Sequence, residues 1–186
     1  MKKQSAVKQI LVLTVTLLLI TAGVAAALAG INLVTKDKIA AINEEKTTKA
    51  IETVLGDAAK QAQERPDLLG KDENVLGVWE TENSYAVKVQ TTGFGGTIVM
   101  MVGVDKSGAV LGINIISQVE TAGLGDVSAS KSAKGEAFRN QFVGKSETLA
   151  VNKDGGEIEA ITSATITSRA VTKGVNTALD FVKSLG

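Results

Sequence analysis

The chain has 186 residues, room for one membrane anchor and one globular domain but rarely for two domains. Its 20 basic and 20 acidic residues balance, and because Met1 to Val34 holds Lys2, Lys3 and Lys8 but no acid, the remainder carries 17 bases against 20 acids, a poor surface for nucleic acid. Cysteine and histidine are both absent, which excludes iron–sulfur clusters, zinc sites, haem held through His, cysteine nucleophiles and His-based triads, so redox chemistry would need an organic cofactor.

From Gln9 to Val34 no residue is charged, and at about 1.5 Å per residue the run LVLTVTLLLITAGVAAALAGINLV can cross a hydrocarbon layer of ~30 Å. Ala27, Leu28 and Ala29 form an A-x-A cleavage site. The run is nevertheless longer than the ~7–15 apolar residues of a signal peptide, so residues 9–34 are expected to stay as a transmembrane helix. The lysines before it place residues 1–8 in the cytoplasm and the rest of the chain outside, by the positive-inside tendency. Lys36 and Lys38 oppose that orientation, diluted by Asp37.

Residues 35–70 read as a juxtamembrane helical segment of one or two helices. Ile39, Ile42, Ala50, Ile51, Val54 and Leu55 recur at helical spacing, and Gly56 and Pro66 supply stops. Residues 71–186 form the domain. From Val75 to Gln118 the pattern is that of strands: Tyr85, Val87 and Val89 alternate with Ala86, Lys88 and Gln90 as in a half-buried strand, and glycine turns separate TIVMMVGV and AVLGINIISQ from it. An antiparallel meander is expected, with Phe94-Gly95-Gly96 as one turn. A short helix over Lys134 to Phe142 places Phe138 and Phe142 one turn apart. Strands are expected at Glu147 to Val151 and Glu157 to Ile161, around a turn at Asn152 to Gly156. A last helix from Ala164 to Ser184 carries Val171, Val175, Ala178 and Val182 on its core face. The fold class is α+β: an N-terminal transmembrane helix, then a domain of antiparallel sheet packed by helices.

Two segments could carry chemistry. In Glu120 to Asp126, ETAGLGD, the glycines make either a tight surface loop or a close backbone approach to a flat ligand, with Leu124 against a ring face. In Glu159 to Ser168, EAITSATITS, Thr162 and Ser163 suit N-capping of the last helix. The run from Thr162 to Ser168 nevertheless holds more hydroxyls than a cap uses. A helix N-terminus also presents amides and a positive dipole end to a phosphate, and a phosphoester on Thr165 would lie there.

Together these segments resemble the FMN-binding G subunits of Rnf ion-translocating complexes and, more distantly, the C subunits of sodium-pumping NADH:quinone oxidoreductases. The ETxGLG loop of that family matches Glu120, Thr121, Ala122, Gly123, Leu124 and Gly125. The family's late motif, Asp-x-x-Ser/Thr-Gly-Ala-Thr-x-Ser/Thr, matches Glu159, Ala160, Ile161, Thr162, Ser163, Ala164, Thr165, Ile166 and Thr167. Glu159 stands where Asp is usual, Ser163 where Gly is frequent and Ala122 where Pro is common.

The resemblance implies an FMN-binding domain on the extracytoplasmic side of the cell membrane, with FMN esterified through its phosphate to Thr165 by a dedicated flavin transferase acting on FAD. It further implies that the ETxGLG loop lies against the flavin, and that the partners are the other subunits of a complex coupling ferredoxin:NAD electron transfer to ion translocation. With no Rossmann fingerprint, the chain would relay electrons without binding NAD. Two other readings of the residues stand beside this one: an anchored ligand-binding or scaffold domain, and a Ser–Lys hydrolase using Ser163 or Ser168 with Lys173.

Overall fold

The computed structural model describes residues 2–185, and it divides into two units, Met1–Glu45 and Lys46–Gly186. Helix α1, Lys2–Leu55, supplies the whole first unit. Its residues from Val7 to Val34 expose apolar side chains all around, from Leu11 and Leu13 to Leu28 and Leu33. A helix apolar on every face suits lipid rather than water. It is the one helix among the described residues long and apolar enough to cross a membrane. Its embedded hydroxyls are satisfied internally: Thr14, Thr16, Thr21 and Thr35 donate to the carbonyls of Ile10, Val12, Leu17 and Ile31 at 2.8–2.9 Å. That leaves no polar group of these residues to seek a partner in hydrocarbon.

The second unit is built on a five-stranded antiparallel sheet, β1 (Gln63–Glu64), β2 (Val75–Glu80), β3 (Ser84–Thr92), β4 (Thr97–Asp105) and β5 (Val110–Ser117), each strand beside its neighbour in sequence. The meander follows from the alternating pattern and the turns. β1 was not evident in the sequence, since its two residues, paired to Glu80 and Trp79, are both exposed and carry no pattern.

The strands are covered on both faces, not half-buried as the alternation of Tyr85 to Gln90 suggests. Val87, Val89, Met100 and Val102 point to one side, where helix α3 (Thr165–Lys183) lays down Val171, Val175 and Ala178, all fully buried. Ala86 and Met101 point to the other, where the end of α1 buries Ala50, Ile51, Val54 and Leu55. Glycines admit that second helix: Gly103 and Gly112 are cross-strand partners, and a Cβ at Gly103 would lie 2.7 Å from the Val54 carbonyl oxygen. At about 25 cal/mol per Å2, each fully buried Val or Leu stabilises this packing by roughly 1.5–3 kcal/mol.

The expected helices are present as α2 (Ala133–Asn140), capped by Ser132 accepting from the Gly135 amide at 3.2 Å, and as α3. Phe138 and Phe142 meet edge to face with centroids 5.5 Å apart. The helix after the apolar span is no separate element: α1 runs through to Leu55, followed by a 3-10 turn at Gly56–Gln61. The strands expected at Glu147 to Val151 and Glu157 to Ile161 are absent, apart from a single bridge between Val151 and Ile158. The alternation there is real, since Leu149, Val151 and Ile158 are buried. The backbone of Leu149, however, is taken by the Asn176 side chain, which accepts from its N–H at 2.9 Å and donates to its C=O at 2.8 Å, so no ladder extends.

Candidate functional site

Three irregular pieces of chain converge at the N-terminus of α3: the β3–β4 turn at Gly93 to Gly96, the loop from Glu120 to Gly125, and the turn from Ile161 to Ala164. Glu120 joins them. Its carboxylate accepts from the amides of Phe94 at 3.3 Å and Gly95 at 2.9 Å, and from the hydroxyl of Thr167, a residue 47 positions away. Burial alone would push this carboxyl up, but the Thr167 hydroxyl and the amides of Gly95, Phe94 and Gly96 outweigh it and hold the group below its ordinary value.

The glycines of the loop divide two tasks. Gly123 has φ +76°, a left-handed conformation that glycine adopts without strain, and it turns the chain so that the Leu124 amide bonds the Thr121 carbonyl at 3.1 Å. Gly125 is needed for space, because a Cβ there would lie 2.8 Å from the Glu120 side chain. Gly125 thus lets the loop lie against Glu120 and Thr167.

Around the Glu120 hub lies a cleft of about 370 Å3 walled by Phe94, Glu120, Thr121, Leu124, Gly125, Ser163, Ala164, Thr165, Ile166 and Thr167. That volume falls within the ~300–1,000 Å3 of small-molecule sites. A second cleft of about 700 Å3 shares Leu124 and Ser163 with the first and adds Gly123, Glu159 and Thr162, with Phe138, Gln141 and Lys134 opposite. The residues singled out in the sequence are therefore assembled around two adjoining hollows. Thr165, Ser163, Ala164, Thr167, Glu120, Thr121, Leu124 and Gly125 wall the smaller, and Gly123, Glu159 and Thr162 only the larger. Phe94 and Ile166 are lining residues that the sequence reading missed. Phe94 had a signal: an aromatic among glycines, 68% exposed here, whereas Phe138, Phe142 and Phe181 are buried.

Capping does not account for the hydroxyl-rich run. The N-cap position of α3 is Ala164, which makes no side-chain cap bond, while Thr162 and Ser163 are exposed. Ser163 has φ +61°, a left-handed conformation unusual for a residue with a side chain. The first-turn amides of α3 thus have no side-chain acceptor and remain available to an anion. Ser168 is fully buried, donating to the Ala164 carbonyl and accepting from the Ile161 amide, both at 3.0 Å, and Lys173 is exposed. Ser168 is a structural hydroxyl and no nucleophile.

The smaller cleft suits FMN. Phe94, Leu124 and Ile166 give it apolar walls, the uncapped first turn of α3 offers backbone donors that a phosphate could use, and the half-buried Thr165 lines it as well. Two buried polar atoms lack a hydrogen bond among the described residues, Thr91 Oγ1 and Asp126 Oδ1, on segments leading to Phe94 and from Gly125.

The FMN-binding domain family matches residues 93–180. The chain is 35% identical to the G subunit of the Na(+)-translocating ferredoxin:NAD(+) oxidoreductase complex of Acetobacterium woodii, across 96% of this chain and 94% of that protein. It is 31% identical to the G subunit of the ion-translocating oxidoreductase complex of Stutzerimonas stutzeri, across 88% and 76%. Among solved structures, the C subunit of the Na(+)-translocating NADH-quinone reductase of Parabacteroides distasonis aligns over 59% of this chain and 61% of that one, with 27% identity and a TM-score of 0.46.

Proposed function

The chain belongs to the family of FMN-binding G subunits of Rnf-type ion-translocating oxidoreductase complexes, and from that membership we propose that it relays electrons through an FMN esterified to Thr165. It works as one component of a membrane complex that couples electron transfer between ferredoxin and NAD to ion translocation, and holds no complete active site of its own. The observation that carries the attachment site is the position of Thr165: a hydroxyl in the cleft wall, at the first turn of a helix that no side chain caps.

FMN supplies the one- and two-electron chemistry, and the chain's own residues hold it. The Thr165 hydroxyl accepts the flavinyl phosphate from FAD, with release of AMP, on a dedicated flavin transferase. The α3 amides then stabilise the phosphoester charge, an arrangement worth about 0.3–1 kcal/mol per anion at an exposed helix end. Phe94, Leu124 and Ile166 would offer the ring apolar contacts, and Glu120 with Thr121 and Gly125 would hold the loop beside it. Glu159, Thr162, Ser163 and Gly123 shape the approach from the larger cleft. Attachment suits a site facing away from the cytoplasmic pool of free FMN. Lys2, Lys3 and Lys8 ahead of the span support that orientation.

Co-expression with a flavin transferase, denaturing electrophoresis and peptide mass spectrometry test the assignment. A fluorescent band with an FMN-phosphoester mass on Thr165, lost in Thr165→Val, is the expected result. A dark band beside an active transferase, or an adduct on Thr162 or Thr167, refutes it.

A further inference from the structure

Glu120 differs in kind from the rest of the cleft wall. Phe94, Leu124 and Ile166 beside it are apolar, and Glu120 is itself only 9% exposed. The groups that bond its carboxylate, the amides of Phe94 and Gly95 and the hydroxyl of Thr167, are all neutral. Cations elsewhere in the domain pair with other acids: Arg65 and Lys106 with Glu80, Lys145 with Glu157, Arg169 with Asp154. Neutral donors keep a carboxylate ionised without cancelling its charge, whereas a salt-bridge partner would cancel most of it at a distance. A net negative charge therefore stands in the wall of the cleft, where surroundings poorer than water in dielectric response screen it little.

We propose that the Glu120 carboxylate lowers the reduction potential of the flavin, by opposing the negative charge that each added electron brings into the cleft. The inference rests on Thr165 as the flavin-bearing residue. It assigns Glu120 a role beyond joining the three loops. A purely architectural Glu120 could be replaced by any side chain of the same shape that accepts from Phe94 and Gly95; an electrostatic one cannot lose its charge unnoticed. Glutamine removes the charge and keeps length and one acceptor oxygen, while its NH2 group faces either Gly95 or the Phe94 and Thr167 donors, so the bond on that side is lost with the charge. Aspartate is the complementary variant, keeping the charge in the same wall.

The measurement is a spectroelectrochemical titration of the full-length chain, co-expressed with a flavin transferase and purified in detergent, as wild type, Glu120→Gln and Glu120→Asp. Loading of each is established first from in-gel fluorescence and the adduct mass. The expected result is a higher midpoint potential in Glu120→Gln and a value nearer wild type in Glu120→Asp. A loaded Glu120→Gln protein with the wild-type potential overturns the proposal and leaves the flavin assignment intact; a wild-type chain that stays dark overturns both. Should Glu120→Gln fail to load, Phe94→Lys against Phe94→Met decides the matter by setting a cation in the same wall. A raised potential in the lysine variant alone supports the proposal, and equal potentials in the pair overturn it.

Discussion

The sheet with α3 and the stretch from Gln118 to Ala164 are two regions held together by different means. The first is periodic: residues of one strand face or one helix stripe all enter one core, and the loss of any of them is shared among many contacts. The second holds one eight-residue helix and otherwise turns, and single side-chain bonds fix it: Glu120 to Phe94, Gly95 and Thr167, Arg139 to the carbonyls of Ser128 and Ser130, Asn176 to Leu149. Most of the cleft's wall comes from the second region, while Thr165, the proposed attachment residue, begins the last helix of the first. Stability and site assembly are thereby separable, and substitutions should pull them apart.

The largest effect on stability is expected from Leu179→Ala, which empties a buried position on α3. About 3 kcal/mol of unfolding free energy should go, read as a lower melting temperature, with flavin loading unchanged below that temperature. Loss of loading at temperatures where the variant is folded would collapse the distinction. Glu120→Ala should cost less, about 2 kcal/mol, for donors left without a partner, yet should abolish or severely reduce loading. Ser163→Gly should stabilise by about 1 kcal/mol, because the side chain occupies a left-handed conformation that glycine adopts freely, and loading should be kept or improved. Denaturant titration measures both.

The smallest effect lies in pH. The folded-state Glu120 carboxyl is held below its ordinary value of 4.5, so the unfolded chain takes up that proton more readily. Its contribution is complete above about pH 4.5 and is lost as pH falls through the folded-state value. Wild type should therefore lose more stability than Glu120→Gln on acidification below about pH 4.5. Parallel acid limbs for the two proteins would show that the carboxylate gains nothing from its donors.

How far each region could be read before the structure follows from the same contrast. The stripe Val171, Val175, Ala178 and Val182 and the alternation of Val87 and Val89 are periodic signals, and they gave α3 and the meander correctly. The second covered face was legible only as small residues, Ala86, Gly103 and Gly112, whose meaning depends on a helix far away in the sequence. Within the irregular stretch, alternation at Leu149, Val151 and Ile158 reported burial and was mistaken for strands, since nothing local says that Asn176 occupies the backbone of Leu149. Residues of the two motifs line the cleft, and their contact through Glu120 and Thr167 gives the spacing between them its physical sense. Phe94 escaped because a turn explained its neighbours sufficiently.

The Glu120–Thr167 bond also orders events in time. It closes a loop of 47 residues and depends on α3 lying on the sheet, so the acceptor threonine has its surroundings only once the C-terminal helix has been synthesised and packed. On the proposed attachment at Thr165, a modifying enzyme would meet a folded surface gathered from distant parts of the chain, not a linear tag. Attachment at the proposed residue would then follow folding, and the flavin would mark a domain that had completed it.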